Sequence, residues 1–295
     1  MRAADTLTLL KDAYKGWSSD QASRLAAALA FYTIFAIAPL LIIVIEIAAD
    51  ILGGGGQHHV VRDEILNQLR PAIGDAGTKA LADLIQATFN QREKGRLAAI
   101  VGWVIFAVAA TGLIAAIQNA LDTVFEVQPK GGVVATITAR LRAILIIAVA
   151  AILIVAMGFA TNFVGAHMNG VAATVINLAI VLVFAILITA AIYKWLPNIE
   201  LSWTDVWFGA IVSSVLSGVG QFLIGMYLGR AATTSAYGAA GSFVVVLLWL
   251  YYSAQLFLVG AEITKAYANR FGSRKSFASV QRGSVESPKQ GALST

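Results

Sequence analysis

Gln118 and Asp122 lie one helical turn apart, with Asn119 between them, at the end of a long apolar run. Residues four apart share a helix face, so an amide and a carboxylate are presented together at the edge of an apolar medium. Arg140 and Arg142 open the next apolar run, Lys194 ends a later one, and Glu262 with Lys265 ends the last. Ionisable groups in such places are costly, and by default they mark solute paths, proton relays or counter-ions. Arg140, Arg142 and Lys194 could form an electropositive vestibule for a small anion such as a phosphate or carboxylate. Gln118 and Asn119 could hydrogen-bond to that anion, while Asp122 or Glu262 couples a proton or locks a closed state. Equally, the cations could be flank residues snorkelling towards headgroups, and the carboxylates could be structural partners of arginine. Both readings stay open on residue types alone.

A second polar layer, at the opposite ends of the runs, holds Glu46, Asn162, His167, Asn177, Gln221, Arg230 and Tyr237. Gln221 is the deepest of these and suits an interhelical hydrogen bond, worth about 0.6–2 kcal/mol. His167, near a turn, reads as a solvated histidine. Hydrolytic chemistry has no foothold. His58, His59 and His167 have neither ligand spacing nor grouped carboxylates. There is no Gly-x-Ser-x-Gly, P-loop or dinucleotide fingerprint. The chain has no cysteine, which excludes disulfides and thiolate sites. Neither an enzymatic activity nor a cofactor or metal is expected.

The elements that must position these groups are six apolar runs, at 25–49, 97–121, 143–166, 171–193, 206–228 and 240–264. Each is long enough to cross a hydrocarbon core of about 30 Å as a helix rising about 1.5 Å per residue. In lipid, only helices and closed barrels satisfy their own backbone groups. The expected fold is therefore all-α, a polytopic membrane protein with six transmembrane helices. Composition agrees: of 295 residues 58% are hydrophobic and 13% charged, against about 25% charged in a soluble domain.

Three domains follow. Residues 1–24 form an N-terminus in which 5–17 reads as a basic amphipathic helix, with Leu7, Leu10, Tyr14 and Trp17 on one face opposite Asp12 and Lys15. Such a helix lies in the headgroup layer or packs on the bundle. Residues 25–266 form the six-helix domain. Pro39 is expected to kink or break its first span, and Gly53 to Gly56 end that span. Within this domain 57–95 reads as two short amphipathic helices, separated at Pro71 and packed on the protein's own spans. Residues 267–295 are a basic tail too poor in apolar residues to fold.

Six spans put both termini on one side. That side carries 14 Lys and Arg and the other carries seven, so both termini are expected in the cytoplasm. The net charge of +5 is explained by span ends facing anionic lipid, and no nucleic-acid partner is expected. Gly225 and Gly229, with Gly209, Gly218 and Gly220 before them, let spans five and six pack closely.

Five stretches together resemble one family. They are Ala26 to Thr33 (AAALAFYT) with Pro39 and Leu40, Gln118 to Phe125 (QNALDTVF), and Tyr193 to Pro197 (YKWLP) with Trp203, Trp207, Gly209 and Ala210. Tyr237 with Gly238, and Leu248 to Tyr251 (LWLY) with Gly260 to Glu262 (GAE), complete the set. In this order they are similar to the YihY/BrkB family of bacterial inner-membrane proteins, over about residues 20–265. The resemblance implies an inner-membrane location and an association with virulence. It also implies export of small phosphorylated metabolites such as glycerol 3-phosphate. The family's former ribonuclease BN label finds no catalytic groups in this chain. The expected function is thus an exporter of a small anionic solute; the alternative is a non-transporting envelope scaffold or lipid-handling protein. Expected partners are the bilayer with its anionic lipids and the solute. Six helices are few for an internally repeated transporter, which leaves room for a homo-oligomer.

Overall fold

The computed structural model describes residues 3–51, 58–92, 112–127, 133–232 and 238–274. Among these residues every regular element is helical: α1 (Ala3–Ser19), α2 (Ala22–Ile51), α3 (His58–Arg92), α4 (112–124), α5 (Val133–His167), α6 (Gly170–Trp195), α7 (Trp203–Ala232) and α8 (Gly238–Arg270). Among the described residues three stretches are long and apolar enough to cross a membrane, namely Gly170–Trp195, Trp203–Ile224 and Val244–Arg270. Ala22–Ala36 and Ile152–His167 add shorter apolar pieces of α2 and α5. The expected span at 97–121 falls mostly outside the described residues. The apolar faces are turned outward, the inverse of a soluble bundle. On α6, Val171 is 81% and Leu178 70% exposed, which suits a lipid-facing helix.

One expectation about proline is corrected, the division of 57–95 into two helices at Pro71, and at Pro39 the helix does not break. The helices continue through Pro39 and Pro71, so residues 58–92 form one helix rather than two. A proline forfeits one donor and clashes with one carbonyl four residues back, but the turns on either side keep their own bonds. Packing then decides. Val61, Leu66, Ala80, Leu81 and Ile85 of α3, from both sides of Pro71, share one core with Ala30, Ile34 and Ile45 of α2 and Val246 and Leu250 of α8.

Close approach of α7 to α8 rests on three glycines. A Cβ at Gly209 would sit 1.7 Å from Thr264 Oγ1, and one at Gly260 would sit 2.3 Å from Ser213 Oγ. One at Gly220 would meet Leu256 Cδ1 at 2.5 Å. Tyr193 of α6 bolts onto this seam. Fully buried, it donates to Phe257 O at 2.6 Å and lies 3.2 Å from Ser213 Oγ. Gly218 is different, since nothing lies within 4 Å of the position its Cβ would take. The pairing of Gly225 with Gly229 lies outside the described side chains.

The main core gathers at the end of the bundle from which both chain termini emerge. Ala22 and Ala26 of α2 meet Leu121 and Phe125 of α4, Leu196, Val206 of α7, and Leu258 and Ala261 of α8. Gly260→Ala should lower stability by about 1–3 kcal/mol through overpacking. Gly218→Ala should be neutral or raise it by up to about 1 kcal/mol through helix propensity. Melting temperatures of the two variants in detergent would check this; similar losses would mean that α7 and α8 are not in close contact.

Candidate functional site

At that same end, α8 presents a polar line on one face. Tyr251, Gln255, Glu262 and Lys265 recur at spacings of four, seven and three, which keeps them on one side of a helix. The line is answered by the turn between α1 and α2. Trp17 Nε1 donates to Gln255 Oε1 at 3.0 Å, and Gln255 Nε2 donates to Tyr251 Oη at 2.7 Å. Gly16 lies on the Glu262 carboxylate so closely that a Cβ there would be 2.3 Å from Oε2.

Lys265 is the hub. Its Nζ lies 3.1 Å from Asp20 Oδ2, 2.9 Å from Glu126 Oε1 and 3.8 Å from Glu262 Oε2. Glu262 is 1% exposed, and its Oε1 has no hydrogen-bond partner among the described residues. A buried carboxyl with an unmatched oxygen is costly. Three carboxylates around one ammonium also leave an excess of negative charge, which a proton would relieve. Among the described residues no group of three or more His, Cys, Asp or Glu is placed to hold a metal ion.

The turns that deliver two of these carboxylates are strained. Among the described residues, the non-glycine residues with positive φ are Gln21, at 52°, and Glu126, at 54°. Gln21 follows Asp20 directly. Glu126 ends α4 in a Schellman arrangement, with Val127 N donating to Asp122 O and Glu126 N to Thr123 O. Glycine is the usual residue at that position, and a side chain there costs about 1 kcal/mol or more. The glutamate is kept where its carboxylate can reach Lys265.

Two further ties close this end. Asp122, buried, accepts from Asn198 N at 2.8 Å and from Asn198 Nδ2 at 2.7 Å, fixing the loop after α6. Asp205 accepts from Ser273 N and Oγ. Gly272 passes so close that a Cβ would be 2.0 Å from Asp205 Oδ1. Arg274 then donates to Phe125 O at 3.0 Å. Burial holds its guanidinium below the ordinary arginine range, and the Glu126 carboxylate opposes that shift.

The residues singled out in the sequence are distributed as follows. Glu262 and Lys265 come together with Asp20 and Glu126, while Asp122 is occupied by Asn198. Lys194 Nζ donates to the Leu201 carbonyl and lies 5.4 Å from the centre of the Trp203 ring. Gln118 is half-buried and Asn119 exposed on α4. Arg140 and Arg142 fall on α5, with their side chains outside the described set, as are those of Glu46, Arg230 and Tyr237. His167 accepts or donates locally, with Nδ1 2.9 Å from Phe163 O. Sequence reasoning missed Asp20, Glu126, Trp17 and Gln255. Gln255 alone carried a signal, as an amide deep in an apolar run and on the face of Glu262.

Replacing Lys265 by Met should cost about 3–5 kcal/mol, because it strands buried carboxylates. Glu126→Gln, at a half-exposed position, should cost less than about 1 kcal/mol. Equal shifts in unfolding midpoint for the two would show that Lys265 is not the hub.

The family model for virulence factor BrkB matches residues 13–283. A UPF0761 membrane protein of Rhodospirillum centenum is 25% identical over 273 residues, covering 89% of this chain and 58% of its own length. Relatives with the same description in Vibrio cholerae and Halorhodospira halophila are 25% and 26% identical, covering 72% and 84% of the chain. They are themselves covered over 70% and 54% of their lengths. The chain therefore spans little more than half of the Rhodospirillum and Halorhodospira relatives. No solved structure matches it. The apolar helices, the inner seam of glycines and the family model agree: this chain is a membrane protein of the BrkB family.

Proposed function

We propose that the chain is a transporter, not an enzyme, and that it moves a small anionic solute outward across the bacterial inner membrane. We further propose that protonation of the carboxyl cluster around Lys265 drives or gates that movement. The observation that carries the reading is Glu262, a carboxyl group 1% exposed, inside an apolar span, with one oxygen unmatched. Buried carboxyl groups beside a charge partner are where a small shift in proton occupancy changes which contacts a helix can make. Asp122 is given a structural role here, because both its oxygens are already used by Asn198.

The solute class rests on the cations. Lys194 keeps donors to spare beyond its bond to Leu201 O. In this reading Arg140 and Arg142, ahead of the apolar run of α5, supply the remaining charge, with Gln118 and Asn119 as hydrogen-bonding groups. A phosphorylated metabolite such as glycerol 3-phosphate fits two guanidinium groups, which bind phosphate in bidentate fashion. Both termini are assigned to the cytoplasm in this proposal. The second reading, a non-transporting scaffold or lipid-handling protein, is favoured by the exposed apolar stripe Leu7, Leu10 and Tyr14 on α1.

Purified protein in vesicles should release labelled glycerol 3-phosphate at a rate that depends on the proton gradient. Glu262→Gln should remove that dependence, and Arg140→Gln with Arg142→Gln should slow release at least about tenfold, equivalent to about 1.4 kcal/mol. Release by wild type that ignores the gradient would end the coupling role of Glu262. No release at all would transfer the case to the scaffold reading.

A further inference from the structure

The face of α1 that packs is not the face with its largest apolar residues. Leu9 and Ala13 are buried against α8, in a cluster with Ile263 and Ala266 that Val212 of α7 and Val259 adjoin. Leu7, Leu10 and Tyr14 instead point outward, at 61%, 50% and 71% exposure. At 3.6 residues per turn these three fall within an arc of about 60°. Lys11 and Lys15, both exposed, follow round one edge of that arc. Asp5 and Asp12 lie on the far side, where Asp12 accepts from Arg270 at 3.1 Å.

Depth decides what can cover the stripe. Val212, Val259 and Ile263 belong to the apolar spans Trp203–Ile224 and Val244–Arg270. A helix packed on them lies at the margin of the hydrocarbon, not out in water. On α7 itself Trp207, Ile211 and Val215 are exposed apolar residues as well. An apolar strip with a cationic edge, at that depth, is complementary to acyl chains below anionic headgroups.

We propose that α1 docks on the bilayer, with Leu7, Leu10 and Tyr14 among the acyl chains and Lys11 and Lys15 on anionic lipid headgroups of the leaflet at this end of the bundle. The opposite face of the same helix carries Gly16 over Glu262. Lipid charge therefore acts on the roof of that carboxyl through one rigid element. The docking itself requires no transport, so its test can fail or succeed independently of the proposed function.

The absence of native cysteine allows single spin labels at Leu10→Cys and, as a water-facing reference, Ser19→Cys. The full-length protein is placed in vesicles of phosphatidylcholine alone or mixed with phosphatidylglycerol. Accessibility to oxygen and to a water-soluble nickel chelate is then read for each label. The expected result is a Leu10 label shielded from nickel and open to oxygen, more so with phosphatidylglycerol, and a Ser19 label with the reverse pattern. Lys11→Glu with Lys15→Glu should abolish the difference between the two vesicle types. A Leu10 label as open to nickel as the Ser19 label overturns docking. Equal shielding in both vesicle types, whatever the charge at 11 and 15, overturns the headgroup contact. Spin–spin broadening at Leu10 that vanishes on dilution with unlabelled protein assigns the stripe to a second copy and overturns the proposal.

Discussion

An ammonium group at the edge of an apolar medium needs anions near it, and Lys265 has gathered three. Asp20 comes from the turn before α2, Glu126 from the end of α4 and Glu262 from the preceding turn of α8 itself. These contacts join segments up to 245 residues apart in sequence. They hold the N-terminal helix, α4 and α8 in one register. Desolvation makes such an ion cluster a poor source of net stability but a strong source of specificity. Shifting α8 by one turn against α2 would bury a lysine with no partner. The apolar contacts of Ala22, Ala26 and Leu258 would tolerate that shift far better than the charges would.

The backbone around this cluster carries the cost of delivering its carboxylates. Gln21 and Glu126 occupy left-handed conformations that glycine would adopt freely. Neither glycine nor a straight helix end would bring a carboxylate to Lys265 from α4. Strain of this kind persists only where the surroundings over-determine it. Here the Schellman bonds of residues 121–127 hold the shape of the turn, while the ion pair rewards the side chain that sits on it. At the same end, Asp122 accepts from the backbone and side-chain amide of Asn198, and Asp205 accepts through Oδ2 from the backbone and hydroxyl of Ser273. Five acidic side chains at this end thus divide into two that tie loops and three that face an ammonium.

Much of the architecture was legible because lipid imposes a single rule: long apolar runs must be helices. The runs at 171–193 and 206–228 recur as α6 and the apolar part of α7. Glycines of span five were legible as agents of close packing, and two of them, Gly209 and Gly220, lie in contact across α7 and α8, joined by Gly260 of α8, which was not singled out for packing. Which glycines face the seam was not legible, since Gly218 shares their company in sequence but faces away. Pro71 misled because its local cost was weighed without the core that α3 builds on both sides of it. The amphipathic reading of α1 found the right helix and assigned Leu7, Leu10 and Tyr14 to one face. It had no means of seeing that the smaller face, Leu9, Ala13 and Gly16, is the one that packs. For the site, Glu262 and Lys265 stood out as charges at the end of a span. Asp20 and Glu126 sit in short polar connections, where a carboxylate looks solvated, and only tertiary folding reveals their shared counter-ion.

Gly16 places bare backbone, not a side chain, against the carboxylate of Glu262. Contact of that kind excludes water by proximity alone, and what holds it closed are the neighbouring bonds of Trp17 to Gln255 and of Arg270 to Asp12. Asp20, one of the two residues that join α1 to α2, is in turn tied to Lys265. Access of water to a deeply buried acid therefore depends on the few ties of one short helix.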